Sequence, residues 1–186
     1  MLPSRRIPIA LADRVKTELS VLVDKGIIAP VDEPTDWVNQ MAVVEKPNEK
    51  LRICIDPQSL NIALKREHYR LPLLDYILPE LHKAQVFSKL DVKHAFWHVK
   101  LDDESSKLTK MITAYGRCRC NRLPFGLKVS SEIFQKRLHA ALSNLNGVFA
   151  IVDDIIVLGC GNTYQEAVLN HDENLKNLRE CCQLKF

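Results

Sequence analysis

The sequence lacks any apolar run long enough to cross a membrane. Its 186 residues contain no stretch of about 18 apolar residues, so no membrane-spanning helix is expected. The N-terminal segment MLPSRRIPIALADRV carries charge but none of the apolar core that a secretory signal needs. We therefore expect an intracellular protein with no membrane partner, and the sequence does not distinguish the cytoplasm from the nucleus.

A strong charge of one sign is also absent. The 26 lysines and arginines nearly balance the 23 aspartates and glutamates, which leaves a formal net charge of +3. That excess is too small to indicate a nucleic-acid partner by itself. The sequence has neither internal repeats nor low-complexity segments, which excludes a repeat architecture.

Cysteine is present, but its spacing is not that of a metal site. The cysteines form one C-x-C pair, one adjacent pair and two single positions, namely Cys54, Cys118, Cys120, Cys160, Cys181 and Cys182. Zinc sites use C-x2-C pairs or cysteine pairs with histidine partners, and neither pattern occurs. We expect reduced thiols that are structural or incidental.

The order of the predicted elements favours an α+β fold. Apolar spacing predicts helices over residues 11–25, 72–81, 128–145 and 164–182. Apolar or alternating segments predict strands over residues 41–45, 51–55, 85–90, 97–101, 110–115 and 117–122, and two more within 148–158. Residues 27–34 are expected to form turns. Because helices and strands interleave without regular βαβ units, we expect the α+β class.

A pair of aspartates interrupts the most apolar segment of the chain. Asp153 and Asp154 lie between AIV and IIVLG in VFAIVDDIIVL. Burying two adjacent carboxylates costs several kcal/mol unless something compensates. This segment alone is compatible with a solvated turn, where aspartate is common, or with a cation site.

A third aspartate favours the cation site. Asp91 ends the apolar strand VFSKL, and strand-end carboxylates that are distant in sequence converge when their strands are neighbours in one sheet. Mg2+ prefers carboxylate oxygens and keeps other positions for water and phosphate. Two such ions about 3.5–4 Å apart would activate an attacking hydroxyl and stabilise the leaving oxygen of an in-line displacement.

The motifs around these aspartates resemble those of reverse transcriptases. The segments VFSKLDVKHAFWHVKLDDES, RLPFGLKVSSEIFQKRLH and VFAIVDDIIV follow one another in the family's order and spacing. Upstream, LVDKGIIAPVDEPTDWVNQMAVVEKPNEKLRICIDPQSLNIALKREHYRLP resembles the start of the fingers in gypsy-type LTR retrotransposon Pol polyproteins. The resemblance runs from Ile7 to the end of the chain.

This resemblance implies a right-hand polymerase fold made of fingers and palm, with an antiparallel palm sheet packed on helices. Fingers are expected at about 1–66 and 99–128 and palm at 67–98 and 129–186, within one incomplete reverse transcriptase domain. The chain stops at QLKF, so the thumb, connection and RNase H segments of the polyprotein are expected to be missing partners. Because positioning contributes much to such chemistry, we expect weak or absent processive synthesis.

By resemblance, Asp91, Asp153 and Asp154 are the catalytic residues and the ligands of two Mg2+ ions, with Mn2+ as a substitute. The implied reaction is template-directed addition of dNTPs to a primer 3′-hydroxyl on an RNA or DNA template. As the second residue of a turn, Asp154 has the alternative role of shaping the local field.

The resemblance also implies that five residues bind the dNTP: Lys46, Arg52, Phe96, Phe125 and Gly126. In the family a lysine and an arginine of the fingers loop clasp the triphosphate, and an aromatic ring at the position of Phe96 excludes a ribose 2′-hydroxyl. Phe125 and Gly126 would contact the nascent base pair. The structural alternatives are a solvated loop for Lys46, a core position for Phe96, and a tight turn for LPFG.

The chain departs from the family pattern near these motifs. Ile151 stands where tyrosine is usual, and Ala114 and Ser131 replace common prolines. These departures leave open an inactive or catalytically weak retroelement remnant that folds and binds nucleic acid. An unrelated metal-dependent phosphohydrolase would account for the aspartates, but not for LPFG or Phe96.

Overall fold

Two β-sheets organise the chain, one in each of two units. The computed structural model describes residues 5–35, 37–47, 50–70 and 74–185. The first unit consists of Met1–Arg66 and Phe96–Ser130, and the second of Glu67–Ala95 and Ser131–Phe186.

The helices and strands interleave along the chain. In chain order they are α1 (Ala12–Asp24), β1 (Ile28–Pro30), β2 (Asn39–Glu45), β3 (Leu51–Asp56), α2 (Gln58–Ala63), α3 (Leu74–Leu81), β4 (Val86–Asp91), α4 (Asp103–Leu108), β5 (Met111–Thr113), β6 (Gly116–Cys120), α5 (Ser130–Leu142), β7 (Val148–Ile151), β8 (Asp154–Gly159) and α6 (Tyr164–Lys185). Short 3-10 turns occupy Ile9–Leu11 and Ala95–His98. The mixture confirms the α+β class.

The first unit contains a five-stranded sheet in the order β1-β6-β5-β2-β3. Strands β2 and β5 are parallel, and the other neighbours are antiparallel. The predicted hairpin of β2 and β3 is confirmed, with Met41 opposite Ile55 and Val44 opposite Arg52. Because side chains alternate along a strand, Met41 and Ile55 face the core, while Val44 and Arg52 share the other face.

Helix α1 covers the apolar face of this sheet. Its buried residues Val15, Leu19 and Leu22 recur at helical spacing, which places them on one side. They pack with apolar residues of the sheet, namely Ile28, Met41, Ile53, Ile55, Met111 and Cys120. Burial raises the pKa of the Cys120 thiol to about 12, so this cysteine stays protonated in the core.

The second unit contains a three-stranded antiparallel sheet in the order β4-β8-β7. Helix α6 packs against β8 and β4. Val157 of β8 is fully buried, and His171 of α6 places its Nε2 2.9 Å from Ser88 Oγ on β4. The antiparallel sheet packed on helices is the arrangement that the family resemblance predicts.

Two secondary-structure predictions are wrong. Residues 97–101, predicted as a strand, begin in the 3-10 turn Ala95–His98 and then form only an isolated bridge between Lys100 and Arg122. Because Val99 is buried, the segment shows the alternation expected of a strand. The Val99 N–H, however, donates to Phe96 O and so closes a turn. Residues 27–34, predicted as turns, contain β1, which is too short for a period-2 pattern to be visible.

Helix α4 is absent from the sequence prediction, yet a local signal precedes it. The Asp102 carboxylate accepts a 2.7 Å hydrogen bond from the Ser105 N–H, and this bond lowers the pKa of Asp102. Acidic residues in the first turn and Lys107 in the last turn complement the helix dipole. Six residues are too few for an apolar period, so only the cap could have revealed this helix.

The other helix predictions agree with the structure to within a few residues. The predicted helix over 72–81 corresponds to α3, which begins at Leu74, and Pro72 lies outside the described residues. Within the described ranges, no helix is both long enough and apolar enough to span a lipid bilayer.

We expect the core of the first unit to be sensitive to truncation at Met111. Its side chain is 1% exposed, so Met111→Ala should lower the free energy of unfolding by about 2–5 kcal/mol. Ile62 is 85% exposed in the same unit, and Ile62→Ala should change that free energy by less than about 0.5 kcal/mol. Urea unfolding measures both, and equal losses would contradict this assignment of the core.

Candidate active site

Two of the predicted catalytic aspartates lie directly opposite each other in the second unit. Asp91 is the last residue of β4 and Asp154 is the first residue of β8, and the two are register partners. Directly opposite side chains in an antiparallel pair have Cβ atoms about 4.5–5.5 Å apart. The sheet therefore brings together carboxylates that are 63 positions apart in the chain.

Asp153 is held at the same end of the sheet through its backbone. It follows Val152 in the turn between β7 and β8, and its carbonyl accepts a 2.7 Å hydrogen bond from the Val92 N–H. Val92 comes directly after Asp91, so this bond fixes the two chain segments next to each other. Asp91 and Asp153 are exposed and Asp154 is half-buried, which leaves the carboxylates accessible to a ligand.

Lys89, which has no predicted role, joins this cluster. Lys89 Nζ lies 2.9 Å from Asp154 Oδ2. The hydrogen bond and charge of Asp154 raise the pKa of Lys89, and the charges of Asp91 and Asp153 add to that effect. Lys89 stands two residues before Asp91 on β4, and side chains two residues apart on a strand point to the same face. This spacing is the signal in the sequence that Lys89 shares a face with Asp91.

The donor chemistry of this cluster fits a hard divalent cation. Across the described residues, no group of three or more His, Cys, Asp or Glu side chains is already gathered as a metal cage. Mg2+ does not require one, because it is usually bound by one or two carboxylates together with water and substrate phosphates. Asp91 and Asp153 provide carboxylates on adjoining segments, and this arrangement meets that requirement.

Three of the predicted dNTP-binding residues meet in the first unit. The Arg52 guanidinium carbon lies 4.6 Å from the centroid of the Phe125 ring, within the range of a cation–π interaction. The ring centroids of Phe96 and Phe125 are 4.8 Å apart. We call Arg52, Phe96 and Phe125 the Arg52 cluster.

The loop that carries Phe125 and Gly126 is fastened to the edge strand β3 and to α2. The Ile55 N–H donates to Phe125 O at 3.1 Å, and Asn61 Nδ2 donates to Gly126 O at 3.0 Å. Gly126 has φ +112°, and a Cβ there would lie 2.0 Å from Ile55 O. Glycine is therefore required at this position by packing, whatever its contact with a ligand.

Lys46 follows β2 at the start of the polar loop. Its N–H donates to Lys50 O at 2.9 Å, which extends the ladder between β2 and β3 by one pair. Strand alternation then assigns Lys46 to the same face of the hairpin as Arg52. Residues 48 and 49 of this loop lie outside the described residues.

The basic residues of the hairpin formed by β5 and β6 have partners inside the first unit. Arg119 Nη1 lies 2.6 Å from Asp103 Oδ1, and Arg117 Nη2 donates to Asp32 O at 3.0 Å. Ile151, the residue at the usual tyrosine position, is half-buried at the end of β7 and lies opposite Asp154.

The chain belongs to the reverse transcriptase family. Residues 44–185 match the family described as reverse transcriptase (RNA-dependent DNA polymerase), and that segment covers most of the chain. Members of this family generally use divalent metal ions.

The similar proteins include retrotransposon polyproteins of the gypsy type. The chain is 30% identical over 181 residues to the retrovirus-related Pol polyprotein from transposon 412 of Drosophila melanogaster, covering 94% of this chain and 14% of that one. It is 29% identical over 186 residues to the Pol polyprotein from the Drosophila transposon gypsy, covering 96% and 17%. The chain therefore spans about one sixth or less of the length of these relatives.

Solved structures with the same fold come from foamy virus. The native prototype foamy virus protease-reverse transcriptase matches with a TM-score of 0.83 at 19% identity, over 99% of this chain and 24% of that one. The same viral protein solved in complex with an RNA/DNA hybrid matches with a TM-score of 0.79 at 19% identity, with equal coverage. At this identity the likeness supports the fold alone.

The packing of Gly126 gives a stability prediction with a matched control. Gly116 also has a positive φ, but a Cβ there meets nothing within 4 Å. Gly116→Ala should lose about 1–3 kcal/mol of unfolding free energy from backbone strain. Gly126→Ala should lose about 1–3 kcal/mol more, because its Cβ must displace the Ile55 carbonyl. Equal losses in urea unfolding would show that the loop does not pack on β3 in this way.

Proposed function

We propose that the chain is the RNA-directed DNA polymerase domain of a gypsy-type retrotransposon polyprotein, and that it adds dNTPs to a primer 3′-hydroxyl under the direction of a template. The observation that carries the proposal is the pairing of Asp91 with Asp154, together with the bond from the Val92 N–H to Asp153 O. These contacts hold three carboxylates at one end of a sheet in a chain of this family.

Asp91 and Asp153 are the assigned ligands of two Mg2+ ions, for which Mn2+ can substitute. When bound, the ions would lower the pKa of the primer hydroxyl and would offset charge on the transferred phosphoryl group and the departing pyrophosphate. The pairing of β4 with β8 fixes the backbone positions from which the carboxylates project. Asp154 completes the negative field, and its Oδ2 lies 2.9 Å from Lys89 Nζ.

The Arg52 cluster is assigned to the incoming dNTP. The planar guanidinium of Arg52 suits bidentate contact with phosphate oxygens, and Lys46 on the same face of the hairpin adds a second positive charge. When Arg52 turns to phosphate, the Phe125 ring face is released for the nascent base pair. Gly126 shapes the loop that presents this ring, and Phe96 beside it is assigned to exclude a 2′-hydroxyl.

We assign the first unit to the fingers and the second to the palm. Phe96, which the expected boundaries placed in the palm, belongs to the first unit. The partners are a primed RNA or DNA template and the remaining segments of the polyprotein. The foamy virus protein of the same fold was solved with an RNA/DNA hybrid, and this supports a primed template as the substrate.

The test is single-nucleotide extension of a primed RNA template by the chain with dNTP and Mg2+. Asp153→Asn keeps the size of the side chain and removes its negative charge, so incorporation should fall at least about 100-fold. Asp172→Asn in α6, where the carboxylate is 72% exposed, is the matched control and should keep parental activity.

Loss of extension in Asp153→Asn alone would support the proposal. Undiminished incorporation by Asp153→Asn would overturn the assignment of the carboxylates. If the folded parent incorporates nothing but binds the primed template, the chain is a remnant without turnover.

Phe96 gives a second prediction for the same assay. Phe96→Val enlarges the space beside Phe125, so the preference for dNTP over the matching ribonucleotide should fall by about tenfold or more. The ratio of kcat/KM values for the two nucleotides measures this preference. Tyr164→Val, at a ring 66% exposed at the start of α6, should leave the ratio unchanged. An unaltered ratio in Phe96→Val would assign Phe96 to packing alone.

A further inference from the structure

One glutamine is fully buried beneath the aspartate turn of the second unit. Gln135 of α5 has 0% exposure. Its Nε2 donates to Ala150 O at 2.9 Å, and its Oε1 accepts a hydrogen bond from the Val152 N–H. A single amide group is therefore bound to the backbone on both sides of Ile151, where the turn begins.

The first of these hydrogen bonds is accepted by a backbone carbonyl on an edge strand of the sheet. β7 is an edge strand, and hydrogen-bonded pairs alternate along an antiparallel ladder. Leu158 N–H donates to Gly147 O, so the alternation directs the carbonyl of Ala150 away from β8. The Gln135 amide occupies the place that a further strand would take.

The second bond acts on a strained residue. Val152 has φ +55°, a left-handed conformation that is unfavourable for an L-residue and especially so for a β-branched side chain. Such a backbone persists only where its surroundings hold it. The Oε1 atom of Gln135 accepts the hydrogen bond that the Val152 N–H donates in this conformation.

The strained residue directly precedes Asp153, whose carbonyl is bound by the Val92 N–H. The path of the chain through the turn is thus fixed by Gln135 on one side and by the segment after Asp91 on the other. Neither bond involves the Asp153 carboxylate, which remains available to a ligand.

We propose that Gln135 is a positioning residue for the nucleotidyl transfer, because its amide holds the backbone of Val152 and so sets the position of the Asp153 carboxylate relative to Asp91. This inference rests on the proposed function. Gln135 itself contacts neither the substrate nor the ions.

Amide hydrogen exchange tests the positioning without any need for activity. In the parent chain the Val152 amide should be protected. Gln135→Met keeps the length of the side chain and removes the amide, so protection at Val152 and Val92 should fall by about tenfold or more, while Leu158 keeps its protection. Gln165→Met, an exposed position of α6, is the matched control.

Two further measurements separate positioning from general stability. The affinity for Mn2+, measured by water-proton relaxation, should fall about tenfold or more in Gln135→Met. In single-nucleotide extension, kcat should fall about 10- to 100-fold with little change in the KM for dNTP. Val152→Gly removes the strain, so Gln135→Met should cost less in that background than in the parent.

The outcomes distinguish this inference from the proposed function. An unprotected Val152 amide in the folded parent overturns the inference even if Gln135→Met fails to fold. Unchanged exchange and Mn2+ affinity in a folded Gln135→Met also overturn it. Loss of protection and of Mn2+ affinity in a chain that incorporates no dNTP supports the positioning and overturns the proposed function instead.

Discussion

The antiparallel pairing of β4 with β8 is the constraint on which the carboxylate cluster depends. Its register runs from Val86 opposite Gly159 to Asp91 opposite Asp154, and it ends on two like charges. Such a pair opposes folding by about 0.2–1 kcal/mol. Burial of Ile155 and Val157 further along the same ladder contributes about 1.5–3 kcal/mol each, so apolar packing outweighs the repulsion. A slip of one residue would turn Asp91 to the opposite face.

The first unit builds its candidate site by another route. Phe125 and Gly126 lie in a loop fastened to the edge strand β3, and the hydrogen bond from the Ile55 N–H to Phe125 O takes the position of a further strand neighbour. Asn61 holds the same loop from α2. In both units hydrogen bonds to backbone atoms fix the path of the chain, and these bonds involve neither the Asp153 carboxylate nor the Phe125 ring.

The sequence singles out the candidate site residues more directly than it indicates some of the fold. Asp91 and Asp153 stand out because carboxylates at the ends of apolar strands are costly unless something compensates, and their roles stay a prediction. The segment WHVKL was mistaken for a strand because a buried Val99 in a turned segment gives the same alternation as a strand. No local pattern distinguishes the two, since the difference lies in the hydrogen bonds that the backbone makes.

Lys89 and Gln135 make contacts that the order of residues in the sequence does not indicate. Nothing in the sequence distinguishes Lys89 from a solvent-facing lysine until the structure places its ammonium group beside Asp154. Gln135 precedes the buried Leu138 and Leu142 by three and seven positions, so it lies on the apolar stripe of α5. A polar side chain on such a stripe signals a buried partner, but only the structure identifies that partner as the turn.

The ion pair between Lys89 and Asp154 has a consequence for the charge balance at the ends of β4 and β8. Three neighbouring carboxylates would repel one another in the absence of a cation, and the ammonium group offsets one of their charges. The ends of β4 and β8 therefore have a counter-ion within the chain, which is the Lys89 ammonium group. A divalent cation that approached Asp154 would therefore have to exchange with this ammonium group.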